Sequence, residues 1–82
     1  MTEQEILSAI GEIVQEATGV PATRVVAEAS FTDDLDIDSL SMVEIATMAE
    51  DRFHISIPDS DLSTLKTVAD VVAYIEKAGV PA

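Results

Sequence analysis

Residues 33–44 contain the side chains best suited to chemistry, because a serine hydroxyl follows directly after a cluster of four aspartates. Ser39 stands where the pattern predicts the first turn of a helix, so we expect its hydroxyl to be exposed. A serine in this place can be a nucleophile, a modification site or only an N-terminal helix residue whose neighbouring aspartates favour the helix dipole. The four aspartates are Asp33, Asp34, Asp36 and Asp38.

A calcium loop is one interpretation of the aspartates, because Asp34, Asp36 and Asp38 have the spacing of its first, third and fifth ligands. The sixth position is Ser39, where the loop requires glycine, and the twelfth is Ile45, where it requires a bidentate glutamate. We therefore predict no dedicated metal site, and at most weak screening of the cluster by cations.

A serine hydrolase is excluded by distance. A nucleophilic serine requires a base within hydrogen-bond reach, and the only histidine, His54, lies 15 residues further along. At about 1.5 Å per helical residue, the separation is about 20 Å or more. The sequence also lacks the glycine-rich elbow of such enzymes, so we predict no catalytic residue.

The charge is strongly acidic, with 16 acidic against four basic residues and a formal net charge of −12. Phosphate binding requires a basic surface, so nucleic acid is excluded as a direct partner, and so is an anionic membrane surface. Partners with basic patches are expected, although solubility alone would also explain the charge. The N-terminus lacks a signal-peptide pattern and no apolar stretch reaches a bilayer-spanning length, so we expect a cytoplasmic protein. We also expect it to be a monomer.

The apolar periodicity predicts an all-α fold for residues 1–82 as a single domain, a four-helix bundle of three main helices plus one short helix. The chain has no cysteine, so an aliphatic core must provide its stability. The first helix is predicted over residues 3–17, with a capping box between Thr2 and Glu5. A long first loop follows over residues 18–38, with a helical turn near residues 22–26.

The second helix is predicted from Ser39 to about Arg52 and is the most apolar. Its core-facing residues are expected to be Leu40, Val43, Ala46, Met48, Ala49 and Phe53. Met42 and Ile45 are expected on other sides, an excess of apolar surface that is typical of a contact face. A short helical turn is predicted over residues 58–62, and the last helix follows the Thr67 cap and ends over residues 78–81.

The segment Asp38-Ser39-Leu40 resembles the attachment motif of acyl carrier proteins, in which the serine receives 4′-phosphopantetheine. The likeness extends in order and spacing over about residues 3–78, through residues 31–44, Phe53, residues 57–59 and residues 66–68. It is most similar to the freestanding fatty-acid-synthase carriers of actinobacteria, including the mycobacterial meromycolate-extension type without its C-terminal tail. Ser41 and Thr47 depart from many bacterial carriers, which have an acidic residue and methionine there.

The resemblance implies a non-catalytic carrier that holds growing acyl chains as thioesters on a 4′-phosphopantetheine arm in type II fatty acid biosynthesis. It implies attachment of the arm at Ser39, between Asp38 and Leu40. The face read by partner enzymes would comprise Leu40, Val43, Glu44, Asp51 and Ile57. The acyl pocket would comprise Ala49, Phe53, Ile57, Leu62 and Leu65. The partners implied are a phosphopantetheinyl transferase, ketosynthases, acyl transferases, reductases and dehydratases.

Two alternatives stay open. The chain could carry polyketide or aminoacyl intermediates, although peptidyl and aryl carriers more often have glycine close before the serine, where this sequence has Ile37-Asp38. It could instead be an acidic helical adaptor that uses the same face without modification.

Overall fold

The computed structural model describes residues 2–78, which form an all-α fold. Its main helices are α1 (Glu3–Thr18), α2 (Ser39–Phe53) and α4 (Val68–Lys77), and α3 (Asp59–Leu62) is a single turn. A 3₁₀ turn over Ala22–Arg24 lies in the long first loop. The predicted fold class is confirmed, and the predicted ends of α1 and α2 differ from the observed ones by one residue. Gly79, Val80 and Pro81 of the predicted last terminus lie outside the described residues.

The first helix begins at the predicted capping box, and a glycine follows its last residue. The Thr2 hydroxyl accepts a hydrogen bond from the Glu5 backbone N–H at 3.2 Å, and the Glu5 carboxylate accepts one from the Thr2 N–H at 2.9 Å. Gly19 follows the helix with φ of 84°, a left-handed conformation that glycine adopts without steric cost.

The long first loop is fixed to the core and to the start of α4. Phe31 and Leu35 are 1% and 3% exposed, so both anchor the loop in the core. The Phe31 N–H donates to the Lys66 carbonyl at 3.1 Å, and the Val68 N–H donates to the Ala29 carbonyl at 3.0 Å. Ser30 and Thr67 form an isolated antiparallel bridge between these bonds. The loop therefore has a defined conformation where it approaches the start of α2.

The core is aliphatic, and α1 packs against both α2 and α4. Among the described residues, no polar or charged side chain is buried. Arg52 and Glu12 join α2 to α1 through an ion pair at 3.2 Å, although an exposed pair of this kind contributes little stability. Within this part of the chain, no helix combines the length and apolar character required to cross a bilayer.

The predicted orientation of α2 is wrong at three positions. Leu40 and Val43 are 79% and 48% exposed, whereas Ile45 is only 2% exposed. The buried residues of the helix are Ile45, Ala46, Ala49 and Phe53. Positions separated by about four residues share one side of a helix, and this series leaves Leu40 outside the core. Since the helix has apolar residues around most of its circumference, periodicity alone could not define the buried side.

Candidate functional site

Ser39 is the first residue of α2 and is exposed. Asp38 precedes it in an extended conformation and accepts a hydrogen bond from the Ser41 backbone N–H at 2.8 Å. This N-cap satisfies one of the amide groups that a helix start leaves without an intrahelical partner. Within residues 2–78 the Ser39 hydroxyl makes no hydrogen bond. The hydroxyl is therefore available to a reagent from outside.

The Asp38 carboxylate has a structural role that its environment strengthens. The hydrogen bond from the Ser41 backbone lowers the pKa of Asp38 below its usual range, because a donated hydrogen bond favours the charged form. Asp38 is therefore an anion at neutral pH, where it also interacts favourably with the positive end of the helix dipole.

The other aspartates of the cluster shape the loop before α2. Asp34 accepts a hydrogen bond from the Ser30 N–H at 2.7 Å, and its own carbonyl accepts one from the Arg24 guanidinium at 2.8 Å. Asp36 adopts a left-handed conformation with φ of 55°, which aspartate tolerates better than most residues. In the described part of the chain, no three acidic or histidine side chains are grouped so that they could hold a metal ion.

A cavity of about 750 Å³ lies beside Ser39, between α2, α3 and the loop that precedes α4. Its apolar lining comprises Phe31, Met42, Val43, Leu62 and Leu65. Its polar lining comprises Ser30, Thr32, Asp33, Ser39, Asp59, Ser63, Lys66 and Thr67. Ser39, at the helix start, thus borders a space that both apolar and polar residues line.

The predicted acyl pocket is brought together only in part. Leu62 and Leu65 line the cavity, whereas Ala49, Phe53 and Ile57 are 1%, 3% and 6% exposed and belong to the hydrophobic core. These three residues do not line the space beside Ser39, because their side chains fill the interior of the bundle.

The apolar wall of the cavity includes three residues that were not assigned to the pocket from the sequence. Met42 and Val43 follow Ser39 by three and four positions, a spacing that places them on the same side of the helix as the serine. That spacing could have identified both as neighbours of Ser39. Phe31 comes from the long loop, and no local pattern relates it to α2.

The residues predicted for a partner face have different environments. Leu40, Val43, Glu44 and Asp51 are exposed on α2. Glu44 and Asp51 are seven positions apart, so they share a side of the helix. Ile57 is only 6% exposed, and its backbone N–H donates to the Glu50 carboxylate at 2.7 Å. Ile57 therefore offers almost no side-chain surface to a partner, which corrects its place in that set.

Hydrogen bonds fix the wall formed by α3. The Tyr74 hydroxyl lies 2.9 Å from the Asp61 carboxylate and 3.2 Å from the Ser56 carbonyl, so it joins α4 to α3 and to the segment before it. The bond to Asp61 raises the pKa of Tyr74.

His54 is exposed and ends α2 in a left-handed conformation with φ of 56°.

Comparison with known proteins accounts for this arrangement. The sequence matches the family described as "Phosphopantetheine attachment site" over residues 8–75. It is 58% identical over 77 residues to the acyl carrier protein of Kineococcus radiotolerans, an alignment that covers 94% of this chain and 95% of that protein. The chain belongs to the acyl carrier protein family. It is a non-catalytic carrier of acyl chains on a phosphopantetheine arm, in fatty acid synthesis.

Other acyl carrier proteins show the same likeness. The meromycolate extension acyl carrier protein of Mycobacterium tuberculosis strain H37Rv is 56% identical over 77 residues, which cover 94% of this carrier and 67% of that protein. The solved structure of acyl carrier protein from Enterococcus faecalis has a TM-score of 0.77 at 32% identity, and covers 96% of this chain and 100% of that one. The predicted family, carrier function and cofactor are confirmed, and the unmodified adaptor is disfavoured.

Proposed function

We propose that Ser39 is the residue that receives 4′-phosphopantetheine, and that the 82 residues act as one carrier domain for fatty acyl intermediates. One observation supports this most directly: the Ser39 hydroxyl is exposed, accepts and donates no hydrogen bond within residues 2–78, and opens onto the cavity. When bound, the arm supplies a terminal thiol that forms thioesters with acyl groups.

The local structure is suited to a phosphodiester on Ser39. The N-terminal turn of the 15-residue helix α2 favours a negative charge at its first residue. Asp38 uses its carboxylate to hold the Ser41 amide, so the helix start keeps its geometry when the neighbouring hydroxyl is modified.

The chain contributes the nucleophilic oxygen of the attachment reaction, and the transferase must contribute the base. The Ser39 oxygen would displace the adenosine bisphosphate part of coenzyme A at phosphorus. The hydroxyl proton must leave during this step. No described residue is hydrogen-bonded to that hydroxyl. The carrier's histidine, His54, lies at the opposite end of α2. The carrier therefore presents the serine, and its partner activates it.

The exposed side of α2 is the proposed surface for partner enzymes. Leu40 and Val43 provide apolar contacts beside Ser39, and Glu44 and Asp51 provide charges for basic patches. The proposed partners are the phosphopantetheinyl transferase and the ketosynthases, acyl transferases, reductases and dehydratases of a synthase, in the cytoplasm. Complementary charge accelerates encounter more than it strengthens the final complex.

Mass spectrometry after incubation with coenzyme A and a phosphopantetheinyl transferase tests the assignment. The native chain should gain one phosphopantetheine, Ser39→Ala should gain none, and Ser41→Ala should be loaded because its hydroxyl is not the acceptor. Circular dichroism of Ser39→Ala should retain the helical spectrum. Loading of Ser39→Ala, or modification mapped to Ser41, would contradict the proposal.

A further inference from the structure

Lys66 is distinguished by its position, since it is the only basic residue among those that line the cavity beside Ser39. The chain has only four basic side chains, and the other three lie elsewhere. Arg24 donates to the Asp34 carbonyl, Arg52 pairs with Glu12, and Lys77 is in the last turn of α4.

The backbone of Lys66 is held at both of its polar groups. Its N–H donates to the Asp70 carboxylate at 3.0 Å, and its carbonyl accepts a hydrogen bond from the Phe31 N–H at 3.1 Å. Adjacent to it, Thr67 is the N-cap of α4 and bridges to Ser30. The side chain of Lys66 therefore extends from a fixed point on the cavity wall.

The ammonium group of Lys66 has no fixed counter-ion in the described part of the chain. Asp33 and Asp59 line the same cavity, but neither carboxylate lies within 4.0 Å of the ammonium, and the one ion pair found in residues 2–78 is between Arg52 and Glu12. Lys66 is exposed, its backbone is held and its ammonium has no ion-pair partner among the described residues, so it can pair with an anion that arrives later.

Attachment of the arm at Ser39 brings such an anion. A phosphodiester adds a negative charge beside an aspartate cluster, in a molecule whose net charge is already −12. Repulsion among like charges destabilises a compact state. The helix N-terminus offsets part of this cost, and a cation on the same cavity would offset more within a screening length of about 8 Å.

We propose that Lys66 is a positioning residue for the arm. Its ammonium pairs with the phosphodiester on Ser39 and thereby inclines the arm toward the cavity instead of toward solvent. This inference rests on the proposed attachment at Ser39. The residue catalyses nothing, and it makes the attached form more stable and more ordered relative to the unmodified form.

The test compares unmodified and phosphopantetheinylated protein for Lys66→Gln, with Lys77→Gln as the matched control. Both variants lose one positive charge, but Lys77 does not line the cavity. In Lys66→Gln, the Tm of the modified protein minus that of the unmodified protein should fall by about 1–5 °C relative to wild type. This effect of Lys66→Gln should diminish as salt is added, because salt screens the charge pair. Lys77→Gln should leave it unchanged.

The ³¹P resonance of the phosphodiester provides a second measurement that a purely structural role would not move. It should shift in Lys66→Gln, return toward the wild-type position in Lys66→Arg, and keep that position in Lys77→Gln. Equal losses of Tm in the modified and unmodified forms of Lys66→Gln would overturn the proposal, because Lys66 would then stabilise the fold whether or not the arm is attached. Equal effects of the two glutamine variants would overturn it in favour of net charge. Failure to load wild type would instead overturn the assignment of Ser39 and, with it, this inference.

Discussion

Leu35 and Leu40 lie five positions apart on either side of the helix start and have opposite environments, since Leu35 is 3% exposed and Leu40 is 79% exposed. Leu35 anchors the long loop to the core, and Leu40 projects from α2 next to Ser39, the proposed attachment site. The same substitution made at each residue in turn therefore distinguishes a loss of folding stability from a loss of binding to partner enzymes.

Leu35→Ala is expected to reduce the free energy of unfolding by about 2–5 kcal/mol, because it removes a buried side chain and leaves a cavity. Leu40→Ala should change it by no more than about 0.5 kcal/mol, because the side chain is mostly in water. Urea denaturation of the unmodified protein measures both. Leu40→Ala should instead weaken binding to a partner enzyme, and comparable destabilisation by the two substitutions would contradict the buried anchor.

Gly11→Ala is expected to stabilise the protein by about 0.5–1 kcal/mol. Glycine inside a helix is less favourable than alanine by about this amount. A Cβ at this position would lie 3.5 Å from the Ala22 Cβ and 3.6 Å from the Ala22 carbonyl oxygen, which is ordinary contact. Thermal or urea unfolding would show the gain. A loss of stability would indicate that the 3₁₀ turn cannot accept the methyl group.

The helix boundaries were predictable because their signals are local. Thr2 with Glu5 and Thr67 with Asp70 both form the capping boxes that their spacing predicts, and Ser39 begins α2. The buried side of α2 was not predictable from period alone, because apolar residues occur on several of its faces. The apolar period places Ile45 outside the core, and only the packing of α1 against α2 buries it.

Ser39 and Phe31, which line the same cavity, differ in the same way in what the sequence reveals of them. The sequence singles out Ser39, the proposed attachment site, by its place after Asp38 at a helix start, which is a short-range signal. Phe31 reaches the cavity through hydrogen bonds between the long loop and the start of α4, such as that from the Phe31 N–H to the Lys66 carbonyl. Contacts between segments so distant in sequence leave no periodic trace. The resemblance implies Phe53 and Ile57 for the acyl pocket, whereas both side chains are buried in the core of this structure.

Asp70 should make stability depend on acid pH. Hydrogen bonds from the backbone N–H groups of Thr67 and Lys66 lower its pKa in the folded state. A lowered folded-state pKa stabilises the fold above the unfolded-state value, which is about 4, and this contribution is lost as the pH falls through the folded-state pKa. The Tm of wild type minus that of Asp70→Asn should therefore be constant from pH 7 to about pH 5 and diminish below about pH 4.

Asp33→Asn is the control for this pH dependence. It removes the same charge, but the Asp33 carboxylate accepts no hydrogen bond from the described residues. If loss of charge in general were responsible, the Tm difference from wild type would change with pH in the same way for both variants. If the cap is responsible, only the difference for Asp70→Asn should change with pH.

Glu44→Lys is expected to weaken binding to a ketosynthase or reductase without unfolding the carrier, because an exposed acidic residue then repels a basic patch. Glu16→Lys is its matched control, since it makes the same charge change at an exposed position on α1. Affinity for the wild-type carrier should fall as salt rises, and the loss caused by Glu44→Lys should diminish in parallel. Titration calorimetry at two ionic strengths measures both. Equal losses from the two variants would indicate that net charge, and not this side of α2, is recognised.

An acyl chain on the arm is expected to stabilise the carrier by entering the cavity beside Ser39. The apolar wall of Met42, Val43, Leu62 and Leu65 can remove methylenes from water, and each buried methylene contributes about 0.8 kcal/mol. A chain that binds only the folded state must raise the Tm. The Tm of carriers loaded with saturated acyl groups should therefore rise with chain length and level off when the cavity is full.

Two substitutions decide which residues form the pocket. Leu65→Trp adds bulk to the cavity wall, so it should reduce the dependence of Tm on chain length. Ala49→Val adds bulk to a core position that is 1% exposed and does not line the cavity. It should lower every Tm, because overpacking a core costs about 1–3 kcal/mol, and leave the dependence on chain length intact. The reverse result would show that the chain enters the core near Ala49, and no dependence on chain length in wild type would show that it stays in solvent.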